Sequence, residues 1–183
     1  MASSRAWRPA MVRYFAVLAV GNLLWEFAQM PLYTLWRTGS AREIAFAAVH
    51  CTGGDLVVAG ASLAGGLLLF GAAGWPRIRF LPVAGATVVL GLGLAVLVEQ
   101  VAVAWGVWTY SDLMPVLPGL GTGLAPLAQW VAVPLLAFAA VSLPLRRKGR
   151  PVHAGQGLDL PIMGSTTSSI APDHLARPNR RAS

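Results

Sequence analysis

Between Ile44 and Leu145 the chain carries only five charged residues: Asp55, Arg77, Arg79, Glu99 and Asp112. A stretch of that length cannot be the core of a water-soluble domain, because it has too little polar surface to wrap an apolar interior. Charged residues make up 11% of the 183-residue sequence, against about 25% in soluble domains. A run of about 20 apolar residues matches the ~30 Å hydrocarbon core of a bilayer. Four such runs occur, near Tyr14–Trp36, Ile44–Ala73, Phe80–Trp108 and Gly123–Leu143. The expected fold is therefore all-α, an integral membrane bundle of four transmembrane helices spanning residues 14–145. A basic arm, 1–13, precedes it, and a basic tail rich in Pro, Gly, Ser and Arg, 146–183, follows it. The tail has no helical period and is expected to be disordered. His153 and His174 fall in it and are assigned no role. The arm and first run resemble a signal peptide, but Asn22, Glu26 and Gln29 interrupt the apolar core, so the run reads as a retained span.

The net charge of +7 does not point to nucleic acid, since no element carries a basic stripe. Seven of the 14 Lys and Arg lie after Leu145, where basic flanks set topology and meet anionic lipid headgroups. Arg5, Arg8 and Arg13, then Arg77 and Arg79, then Arg146 to Arg150 all mark one side. The loop from Gly106 to Thr122 has neither Lys nor Arg. Positive-inside then puts both basic flanks and the Arg77 loop in the cytoplasm of a bacterial inner membrane. Trp36, Trp105, Trp108 and Trp130 gather toward the outer boundary, with Trp7 and Trp75 toward the inner one, as in an aromatic belt. Cys51, the single cysteine, permits no intrachain disulfide. Small residues at Gly60, Ala61, Ala64, Gly65, Gly85, Gly91, Gly93 and Ala95 suit close helix contact.

Three acids lie inside these spans: Glu26, Asp55 and Glu99. A charge at membrane depth costs at least about 2.5–3.5 kcal/mol, so each needs a partner, a proton or a wet cavity. The spans alternate in direction, and that places the acids, Gln29, His50 and Gln129 at one common level in the outer half. At 100° per residue Asn22, Glu26, Gln29 and Tyr33 share an arc of about 60°. Pro31 is expected to kink this helix. His50 and Asp55 would stand about 140° apart on an unbroken helix, so Gly53-Gly54 is expected to unwind and turn both inward. Trp105, Trp108 and Tyr110 begin an apolar loop able to cover the outer mouth. Two readings follow: a shared site, or polar groups that bond helices together.

Several chemistries lack their residues. One membrane histidine is too few for di-iron or bis-His haem sites. The zinc motif His-Glu-x-x-His and the elbow Gly-x-Ser-x-Gly are missing, and no arginine ladder marks a voltage sensor. No cofactor or metal is implied. Metal-free acid–base work remains, with a carboxyl group in an apolar pocket protonating a carbon–carbon double bond and Trp or Tyr faces steadying the cation.

The pattern Glu99, Trp105-Gly106-x-Trp108-x-Tyr110, a Pro-rich loop and Gln129-Trp130 resembles the acidic-then-aromatic pattern of the bacterial carotenoid hydratase and small lycopene cyclase membrane families. Those families have more spans and further acidic motifs. Asn22-Leu-Leu-Trp25-Glu26-Phe and Gly53-Gly54-Asp55 resemble an uncharacterised family of small bacterial membrane proteins, which implies no activity. The leading expectation is a pocket for a lipid or isoprenoid-like molecule. Glu26 and Glu99 are acid/base candidates and Asp55 orients them. Gln29, His50, Trp105, Trp108, Tyr110 and Gln129 contact the substrate. The alternative is a proton-coupled transporter or accessory subunit, which in so small a bundle calls for a homo-oligomer or a membrane partner.

Overall fold

The computed structural model describes residues 4–148. The tail beyond them, with His153 and His174, lies outside the described residues. Helix α1 runs Ser4–Gln29 and passes into a 3-10 turn, Met30–Leu32. A single-turn helix α2, Leu35–Thr38, leads to α3, Ala41–Phe70. Helices α4, Phe80–Ala104, and α5, Leu124–Lys148, follow. Helices α1, α3, α4 and α5 are long and apolar enough to cross a membrane. The architecture is all-α; among the described residues the only β pairing is two isolated bridges, Tyr33 with Tyr110 and Val116 with Gly123. In hydrocarbon each backbone N–H and C=O must be satisfied within the protein, and a helix does so within its own segment.

Pro31 ends α1 rather than kinking it. It has no N–H to give the preceding turn, and the chain leaves the α path at Gln29. Gly53-Gly54 does not unwind α3, which is continuous. Where water cannot replace lost backbone bonds, keeping the helix outweighs glycine's cost of roughly 0.5–1 kcal/mol. Helix α3 starts from a capping box: Glu43 N–H donates to Ser40 Oγ, and Ser40 N–H to Glu43 Oε2 at 2.7 Å. At its far end Arg79 Nη1 donates to the Phe70 carbonyl at 2.8 Å, closing the turn into α4.

The helices form a ring in which α1 and α4 each pack on α3 and α5. The half of the ring near the α3–α4 turn is apolar and dense, with Tyr14, Leu18, Leu63, Val83, Phe138 and Val141 buried. Tyr14 and Phe138 meet at 4.9 Å between ring centroids, and Trp75 packs edge-on to Trp7 at 5.3 Å. Close approach depends on a few glycines. A Cβ on Gly21 would lie 2.8 Å from Val133 on α5, and one on Gly66 3.0 Å from the Val83 carbonyl of α4. Gly85 and Gly93, expected at contacts, face open space. Trp75 and Trp130 are buried rather than set in an interfacial belt, because each fills a gap between helices.

Candidate functional site

The other half of the ring holds the polar residues. Asn22, Glu26 and Gln29 of α1, Glu99 of α4 and Gln129 of α5 are all buried. Their common level follows from the hydrogen bonds themselves. Gln129 Nε2 reaches Asn22 Oδ1 at 3.2 Å, Glu26 Oε1 at 3.0 Å and Asp55 Oδ2 at 2.9 Å, joining α5 to α1 and α3. Gln29 Nε2 donates to Glu26 Oε1 at 3.0 Å and to Gln129 Oε1 at 3.1 Å. An amide NH2 has two protons, and three acceptors compete for those of Gln129. Two of the three acids therefore share one donor side chain, and Glu26 alone of the two has a second, Gln29.

Glu99 is held separately, by the loop between α4 and α5. Trp108 Nε1 donates to Glu99 Oε1 at 3.2 Å, and the Tyr110 hydroxyl donates to the same oxygen at 2.5 Å. Tyr110 Oη in turn accepts the Gly123 N–H at 3.0 Å. Burial, reinforced by the Glu99 carboxylate, raises the Tyr110 hydroxyl above the ordinary phenol range, so it remains a donor. The loop is fastened to the end of α1: Thr34 N–H bonds to the Thr109 carbonyl at 3.0 Å, and Ser111 N–H to the Leu32 carbonyl at 2.9 Å. Gln100 faces away from Glu99 and binds the loop's return, donating to Thr122 Oγ1 and the Leu120 carbonyl.

These groups border a cavity of about 470 Å³. Glu26, Gln29, Asp55, Glu99, Gln129 and Trp108 line it, together with an apolar wall that includes Met30, Val57, Val58, Ala95 and Val98. His50 also lines it, from the rim; it is exposed and stacks on Phe46 with ring centroids 5.6 Å apart. Tyr110 acts through Glu99 rather than from the wall. Trp105 does not take part: it is 81% exposed and absent from the lining, because it follows the last turn of α4 on the outward side. Tyr33, Cys51 and Trp130 line the cavity although they were not among the expected contacts. The arc shared by Asn22, Glu26 and Gln29 already pointed to Tyr33.

The mouth lies on the flank of the bundle. Among the lining residues, those of α1 and α5 that border the acids are buried, whereas His50, Gly54 and Val57 of α3 and Val98 of α4 are exposed. His50, Gly54 and Val57 follow the i, i+4, i+7 spacing of one helix face. A Cβ on Gly54 would meet nothing within 4 Å. The opening is thus between α3 and α4, within two segments long enough to cross a membrane. At the end of the bundle the Tyr33, Trp108 and Tyr110 rings pack together, with Tyr33 5.7 Å from Tyr110 and 6.5 Å from Trp108.

Each acid fixes one oxygen. Glu26 Oε1, Asp55 Oδ2 and Glu99 Oε1 accept all the hydrogen bonds these side chains receive among the described residues. The second oxygen of each accepts no hydrogen bond among the described residues. Among the described residues no three His, Cys, Asp or Glu side chains converge as a metal site would require. No known family model, characterised protein or solved structure matches the chain.

Proposed function

We propose that this membrane-embedded protein binds a lipid-like or isoprenoid-like molecule that enters from the bilayer between α3 and α4. The observation that carries this reading is a cavity with acids at its centre and its mouth on the bundle's flank. An aqueous solute would call for an opening at an end of the bundle. A hydrocarbon chain needs no water-filled route, and an apolar wall with a few fixed polar groups is the usual form of such a site. The polar end of the ligand lies at Glu26, Asp55 and Glu99, and its chain lies along Val57, Val58, Ala95 and Val98. Both basic flanks lie on the cytoplasmic side of a bacterial inner membrane, and the acids lie in the outer half.

Extraction and mass spectrometry of the purified full chain test this, with Gly54→Phe as the comparison. A phenyl ring at Gly54 has open space at its Cβ and fills the mouth. The unaltered chain should retain an apolar molecule in near-stoichiometric amount, and Gly54→Phe should lose it while remaining folded. Identical extracts from both, matching the surrounding lipid, would overturn the reading.

A further inference from the structure

The cavity is markedly one-sided in charge. Its acids present free oxygens, which accept when ionised. Gln29 supplies a further acceptor: it is 5% exposed, lines the cavity, and its Oε1 has no hydrogen-bond partner. Flipping the amide would not help, because Nε2 already serves Glu26 and Gln129. Several donors nearby are spent within the protein, Gln129 Nε2 on Asn22, Glu26 and Asp55, and Trp108 Nε1 and Tyr110 Oη on Glu99, which leaves the neutral Tyr33 hydroxyl in the wall and His50 at the rim. Among the described residues no Lys or Arg lines the cavity. A buried acceptor without a donor costs free energy, and an acid at membrane depth needs a partner, a proton or a wet cavity. A group that brings donors together with positive charge is such a partner.

We infer that the molecule held in this cavity carries a protonated amine as its head. This rests on the pocket reading above and names its ligand class. An ammonium has three donors and no acceptor, the complement of Gln29 Oε1 and the free carboxyl oxygens. Tyr33, Trp108 and Trp130 supply aromatic faces in the same wall, as sites for organic cations do. A metal ion is a poor match, since among the described residues no three His, Cys, Asp or Glu side chains are placed to hold one. A fatty acid or phosphate head would bring further negative charge to a wall already lined by three acids.

The test uses the full chain in nanodiscs of zwitterionic phosphatidylcholine, with dodecylamine, dodecanol and dodecanoic acid as probes. Binding is followed by tryptophan fluorescence and thermal stabilisation. Dodecylamine should bind more than about tenfold tighter than dodecanol, as hydrogen bonds to charged groups imply, and dodecanoic acid weakest. Asp55→Asn should shrink the amine's advantage over dodecanol. Dodecanol or dodecanoic acid binding as tightly as the amine would overturn the amine assignment and leave the pocket reading intact. No binding of any probe to the folded chain would overturn both. The comparison of the three heads is made on the unaltered chain, so it stands even where a variant fails to fold.

Discussion

Helices α3 and α4 meet in two ways along one seam. Toward their shared turn the contact is closed: Gly66 lies against Thr87 and Val83 with no room for a methyl group. Toward the other end, Gly54 and Val98 face an open mouth. Trp130 of α5 marks the change, with its ring where a Cβ on Gly91 would come within 3.0 Å, while also lining the cavity. Closing a seam in lipid relies on small residues and van der Waals contact, since hydrocarbon offers no hydrophobic drive between helices. Glycine therefore serves opposite ends here. At Gly66 its absent side chain lets backbones touch, and at Gly54 it leaves space.

That contrast can be broken by substitution. The largest effect is expected in the closed half, where Phe138→Ala removes a ring packed on Tyr14 and Phe80. A loss of about 3–5 kcal/mol is expected, read as a lower unfolding midpoint in detergent or nanodiscs. Next is one change at two places on α3. Gly66→Val forces the Val83 backbone away and should cost about 1–3 kcal/mol, whereas Gly54→Val should cost nothing measurable. Equal losses at both would erase the distinction between the two halves. Gln129→Leu follows, since it leaves acceptors on Asp55 and Asn22 without their donor and Glu26 with that of Gln29 alone. About 1–3 kcal/mol is expected, with ligand retention falling in parallel. The smallest effect is Ser40→Ala, which opens the α3 capping box away from both halves, at about 1 kcal/mol or less and with no change in ligand.

Much of this was legible in the sequence because membrane helices obey few rules. Run length and the scarcity of charge defined four spans. The alternation of their directions put Glu26, Asp55, Glu99 and Gln129 at one level, where hydrogen bonds from Gln129 join the first two and the loop holds the third. Which helix faces meet was not legible. Gln129 is the hub because α5 turns it toward both α1 and α3, and a rotation of that kind is set by packing. Gly53-Gly54 suggested a break, yet an unbroken α3 still brings both His50 and Asp55 to the cavity, His50 at the rim and Asp55 at the wall. Trp105 and Trp108 stand three residues apart and diverge completely, because the chain leaves the helix between them.

The central claim is that the acid-lined cavity opens to hydrocarbon. Val57 lines it and is 73% exposed, so a fluorophore on Val57→Cys, in a Cys51→Ser background, reports directly on what fills the mouth. Quenching by brominated lipid acyl chains, with no quenching by aqueous iodide, and relief of the lipid quenching by dodecylamine, are the predicted results. Strong iodide quenching with indifference to brominated lipid would contradict the account, since the mouth would then open to water.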